Sequence, residues 1–88
     1  MIMKYLFAGH MSKPEFDQLI SMSGLRSEGM IKSLRDYLVA GAGEQVAILG
    51  NGVTQSNFSR DLKKLEKLFA SIVKYNEIIG VTRIKKVI

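Results

Sequence analysis

The chain has no cysteine and a single histidine, His10. Without cysteine there is neither a disulfide framework nor a thiolate zinc site, and a reducing compartment suits the chain. His10 has no cysteine and no cluster of carboxylates at ligand spacing around it, so no metal centre or general base is assembled on it. Hydroxyl side chains are numerous, but none has an activating base nearby in the pattern, which excludes a hydrolytic triad. The glycines of Gly41-Ala-Gly43, Gly50 and Gly52 lack both the Gly-x-Gly-x-x-Gly order and a Gly-Lys-Ser/Thr ending, so they read as helix punctuation and not as a phosphate cradle. We therefore expect no enzyme and no cofactor. Long apolar runs are missing too: Met1-Ile-Met-Lys-Tyr-Leu-Phe-Ala8 is interrupted by Lys4 and is far shorter than a membrane span or a secretory core. The expected location is the cytoplasm, with no membrane partner. No internal repeat and no low-complexity segment is present.

What the chain does have is enough apolar material for one small core. Its 88 residues are too few to divide between two interiors, and 47% apolar with 24% charged residues is an ordinary globular balance. The single domain is expected to have its core over about residues 12–74, with a short arm at 1–11 and a tail at 75–88. Negative charge is scarce in one part only. Residues 1–50 hold five basic and five acidic side chains, whereas residues 51–88 hold eight basic and three acidic, so the net charge of +5 belongs to the C-terminal part. Such an asymmetry is an electrostatic footprint for a polyanion, with nucleic acid the first candidate and an anionic membrane surface the second.

Helix signals follow one another along the chain. Ser12-Lys-Pro-Glu15 combines a capping serine, a first-turn proline and an acid that can complete a capping box, and it starts a helix running to about Met22 with Phe16, Leu19 and Ile20 inward. Gly24 breaks it. Ser27-Glu28 starts a second helix over about 28–40, with Ile31, Leu34 and Leu38 inward, Met30 and Tyr37 partly so, and Glu28, Lys32 and Asp36 toward solvent. Gly41 and Gly43 close it. Residues 44–50 make a short third helix, Asn51-Gly52-Val53 a tight turn, and Thr54 caps a fourth helix predicted to reach about Lys74 with Phe58, Leu62, Leu65, Leu68, Phe69 and Ile72 inward. The end, residues 78–88, is rich in β-branched residues without clean alternation, and is open between a short strand, a packed tail and a subunit contact. Residues 1–7 are similarly ambiguous, and a small pairing of the two ends is a further option.

The expected fold class is all-α: a small domain of four to five helices containing a helix-turn-helix in residues 44–64. That arrangement needs a small or apolar residue where the two helices cross, met by Ala47 and Ile48. It also needs glycine in the turn and an apolar residue after it, met by Gly52 and Val53. With Phe58 and Leu62 inward, Thr54, Gln55, Ser56, Asn57, Ser59, Arg60 and Lys63 form the outer face of the second helix and are the candidate DNA-binding residues. Lys64 and Lys67 extend them as phosphate contacts. Gln55 suits adenine and Arg60 suits guanine or phosphate.

Met11-Ser-Lys-Pro-Glu-Phe16, the run Ser27-Glu-Gly-Met-Ile-Lys-Ser-Leu-Arg-Asp-Tyr-Leu-Val39 with Gly41 after it, and Phe58-Ser59 followed by Leu62 and Leu65 closely resemble the PapB family of adhesin biosynthesis transcription regulators. The resemblance spans about residues 5–70, with Arg35-Asp-Tyr-Leu-Val39 its most specific part. It implies a helical regulator of fimbrial operons, associated with the nucleoid, that binds A/T-rich double-stranded DNA as an oligomer and both activates and represses. It also implies an approach to DNA partly through the minor groove. The sequence departs from that pattern at Gly43, Glu44 and Gln45, where many members have basic residues. It departs again at Ile48, where cysteine is common, and at Asn57, where tyrosine is common. The expected function is thus a DNA-binding regulator of fimbrial gene expression. The alternative is a protein-interaction module that antagonises another regulator without binding DNA strongly.

Overall fold

Ser12 opens the first helix as its pattern foretells. In the computed structural model, which describes the backbone of residues 5–87 and the side chains of residues 5–80, Ser12 Oγ accepts the Glu15 backbone N–H at 3.3 Å and donates to Glu15 Oε1 at 2.8 Å. Helix α1 spans Lys13–Ser23 and stops at Gly24, whose φ of 76° is the left-handed conformation that glycine adopts without a steric cost. Helix α2 spans Glu28–Leu38 and is capped by Ser27 Oγ, which accepts the Met30 N–H at 3.4 Å. Helix α3 is the short Glu44–Gly50, and α4 runs from Gln55 to Val87.

These four helices enclose one core. Phe16 and Leu19 of α1, Leu34 and Leu38 of α2, Ala47 and Ile48 of α3, and Phe58 and Leu65 of α4 are all buried. Helix α4 is the shared wall, packing on α1, α2 and α3 in turn, while α2 also packs on α1 and α3. The Tyr37 ring meets the Phe58 ring edge-on at 5.7 Å, fixing α2 against α4.

Two expectations about the ends need correction. The core does not begin at residue 12, because the arm supplies Leu6 (2% exposed) and Met11 (8%) to it. The arm is held by polar groups that helices leave unused. Gly9 N–H donates to Tyr37 O at 3.0 Å and Met11 N–H to Leu38 O at 3.1 Å, satisfying carbonyls at the end of α2 that lack an intrahelical partner. The Glu66 carboxylate of α4 accepts the backbone N–H groups of Tyr5 and Leu6. Residues 5–7 form no strand. Residues 1–4, where the rest of the suggested end-to-end pairing would fall, lie outside the described residues.

Residues 75–87 are not a separate tail, since α4 continues through them. Ile78 and Ile79 favour strands only where a neighbouring strand takes up their backbone groups, whereas a helix satisfies its own. No proline interrupts the run, and Gly80 costs a helix only about 1 kcal/mol. At 1.5 Å per residue the 33 residues of α4 span about 50 Å, which matches the longest dimension, 53 Å. The radius of gyration, 15.0 Å, exceeds the roughly 12 Å expected of a compact chain this long, because the second half of α4 projects past the other helices.

Candidate nucleic-acid interface

The crossing of α3 and α4 is set by small and polar residues of three elements. Ala47 is 1% exposed where the helices meet. Gly52, at φ 66°, turns the chain; Val53 N–H returns to Ile48 O at 3.3 Å, and Thr54 Oγ1 accepts the Asn57 N–H at 3.1 Å to cap α4. Near the end of α3 the Ala47 carbonyl takes side-chain donors. It accepts the hydroxyl of Ser33, wholly buried on α2, at 2.9 Å and the Asn51 amide at 2.8 Å. The same Asn51 Nδ2 donates to Asp36 Oδ2 at 3.0 Å, so Asp36 is half-buried and latched to the turn, not turned to solvent as its four-residue spacing from Lys32 suggests. Gly29 matters as well: a Cβ there would stand 3.3 Å from the Asn51 carbonyl oxygen, so α2 and the turn approach closely because that residue is glycine. Ser33 and Gly29 were not singled out by sequence, and Asn51 was read only as part of the turn. A serine and a glycine within an amphipathic helix carry no local sign of what they will touch.

The nine candidate residues all lie on the first half of α4 or at its cap. Thr54, Gln55, Ser56, Asn57, Arg60, Lys63, Lys64 and Lys67 are exposed, and Ser59 is half-buried. At about 100° per residue, Ser56, Arg60, Lys63 and Lys67 fall within about 60° of one another, opposite Phe58, and Lys74 lies on the same line. From Arg60 to Lys74 the stripe rises roughly 21 Å along α4. Lys74, also exposed, was not among the candidates. The helix was already expected to reach it, and its spacing of seven from Lys67 is the signal that places it on the same face.

The acids of this part of α4 are engaged internally. Asp61 is 6% exposed and receives the Arg60 guanidinium, Nε to Oδ1 at 3.1 Å and Nη2 to Oδ2 at 3.4 Å. That hydrogen bond first, and the charge of Asp61 second, raise the Arg60 pKa above its ordinary value, so Arg60 stays cationic. Glu66 is half-buried and holds the arm. Gln55 and Ser59 lie off the cationic stripe, toward α3, where Gln55 Nε2 donates to Glu44 Oε1 at 2.9 Å and to Ser59 Oγ at 3.3 Å. His10 sits at the surface with its ring 5.8 Å from that of Phe7. Among the described residues no group of three or more histidines, cysteines and carboxylates is placed to hold a metal ion, and no helix is long and apolar enough to cross a membrane.

The sequence model of the adhesin biosynthesis transcription regulatory proteins, the PapB family, matches residues 2–79. The chain belongs to the PapB family. It is a regulator of transcription in adhesin biosynthesis, not an enzyme. The same helical fold is present in FocB of E. coli, known from a crystal structure: it is 27% identical to this chain, the match covers 85% of each, and the TM-score is 0.80. No curated protein sequence matches the chain. The match to the PapB family takes in the α3–turn–α4 segment, the cationic stripe as far as Lys74 and the arm from residue 2.

Proposed function

We propose that this PapB-family regulator binds double-stranded DNA through the first half of α4, at A/T-rich sites near fimbrial promoters, and does so as an oligomer. The observation that carries the reading is the segregation of charge on α4. Asp61 and Glu66 are consumed by Arg60 and by the arm, while Arg60, Lys63, Lys64 and Lys67 remain exposed. A face of one sign is what neutralises a line of phosphates. A helix roughly 10–12 Å across suits the major groove, about 12 Å wide, better than the minor groove at about 6 Å, so the start of α4 is assigned to the major groove. Any minor-groove contact then falls to other segments.

Self-association is supported by the projecting half of α4. Within it Tyr75 and Ile78 are large apolar side chains 60% and 57% exposed. At its root an apolar groove between α1 and α4 is lined by Leu19, Met22, Phe69 and Ile72. A second copy covering these surfaces removes both liabilities.

The test is fluorescence anisotropy of a labelled A/T-rich duplex against a G/C-rich one of equal length, across a salt series. Four phosphate contacts per protomer give a log–log slope of about −3.6, and replacing Arg60 and Lys63 by Ala reduces its magnitude by about 1.8. Flat, weak binding to both duplexes refutes the reading. It would favour the antagonist alternative, to which one observation does point: α3 turns Val46 (68% exposed) and Leu49 (81%) to solvent one turn apart, an apolar pair suited to a protein partner.

A further inference from the structure

Glu44 and Gln55 are the first residues of α3 and α4, brought together by the turn between them. A carboxylate only accepts hydrogen bonds, so the group of Gln55 facing Glu44 Oε1 at 2.9 Å has to be the amide nitrogen. The second hydrogen of that nitrogen is directed to Ser59 Oγ, at 3.3 Å. Both donors of the Gln55 amide are therefore engaged by the protein, and its carbonyl oxygen is the group left to meet a ligand. An unrestrained glutamine offers either edge, since rotating the amide by half a turn exchanges donor and acceptor. Here Glu44 removes that choice.

We infer that Glu44 is a specificity-positioning residue, locking Gln55 as an acceptor that reads an exocyclic amino group in the major groove. On the contacted strand, adenine N6 and cytosine N4 donate there, whereas guanine O6 and thymine O4 are acceptors that repel the Gln55 oxygen. The locked side chain thus reads amino bases against keto bases at one position, and accepts cytosine there as well as adenine. The inference rests on the assignment of α4 to DNA. It also gives Glu44 a role that its charge alone does not suggest, since an acid beside a phosphate-binding face opposes affinity.

The experiment uses the full chain and a library of randomised duplexes, with bound sequences counted at each position for the wild type, Glu44→Ala, Gln55→Ala and the double variant. The wild type is expected to prefer adenine or cytosine over guanine or thymine roughly fivefold or more at one position, of the order of a single good base contact. Glu44→Ala lets the amide rotate, and the preference there falls below about twofold while the rest of the bound motif is retained. Gln55→Ala erases the same preference, and adding Glu44→Ala to it changes the motif no further. All three variants keep the wild-type circular dichroism spectrum, because Gln55 is exposed and Glu44 only half-buried, and neither belongs to the core. Two results overturn the inference while leaving DNA binding intact: no amino-over-keto position in the wild-type motif, or a Glu44→Ala variant that binds every sequence more tightly by one common factor. Failure of the wild type to select any duplex refutes the DNA-binding reading itself, and this inference with it.

Discussion

Replacing Ser33 and Asn51, singly and together, tests the latch that sets the α3–α4 crossing. The Ala47 carbonyl sits at a 1% exposed residue and takes a hydroxyl from α2 and an amide from the turn, while the Asn51 backbone N–H goes instead to Ile48 O at 3.4 Å. Removing Ser33 by substitution with Ala leaves the carbonyl its Asn51 partner, so the expected cost is that of one neutral hydrogen bond, about 1 kcal/mol. Asn51→Ala leaves it the Ser33 hydroxyl but also frees Asp36, and costs about 1–1.5 kcal/mol. The double variant strips both side-chain donors from a buried oxygen, whose desolvation is then uncompensated at about 1–3 kcal/mol. Its loss should exceed the sum of the single losses by about 1 kcal/mol. Urea denaturation followed by circular dichroism reads these values, and unchanged m-values confirm that the same surface is exposed on unfolding. For a domain of this size each 1 kcal/mol lowers the thermal midpoint by roughly 4–8 °C. Strictly additive losses refute the shared acceptor, and a Ser33→Ala variant as stable as the wild type refutes the buried bond.

Phe58→Ala removes a wholly buried ring from the centre of the core and is expected to cost about 3–5 kcal/mol, which urea denaturation would register as a nearly unfolded protein. Glu66→Ala takes away the carboxylate that accepts the Tyr5 and Leu6 N–H groups; at this half-buried site a loss of about 1.5 kcal/mol is expected, with faster hydrogen exchange at those two amides, and Glu66→Gln should lose less. Asp61→Asn keeps the shape of the side chain but removes the charge paired with Arg60, so DNA affinity should rise several-fold at low salt; unchanged or weaker binding would contradict the placing of Arg60 at the phosphates. Deleting residues 76–88 should leave the core folded and reduce the mass measured in solution by light scattering, and unchanged assembly would remove the projecting half of α4 from the oligomer contact.

The composition and the local signals of this sequence determined its class. Capping serines at Ser12 and Ser27, the glycine at Gly24, and the turn at Gly52 act through neighbours within a few residues, so they are legible before folding and emerge where they were expected. The apolar stripe of Phe58 and Leu65 likewise fixed which face of α4 is inward, and with it the outward direction of Arg60, Lys63 and Lys67, because side-chain direction on a helix follows from spacing alone. The family was legible from short runs such as Arg35-Asp-Tyr-Leu-Val39. Tertiary structure alone decided the rest, since it depends on contacts between residues far apart in the chain. Asp36 became a latch because Asn51 arrives beside it, Leu6 joined the core because Glu66 and the end of α2 hold the arm, and Gln55 was turned by Glu44 across the turn. The β-branched end became helix because its backbone, with no strand placed alongside among the described residues, satisfies its hydrogen bonds within itself.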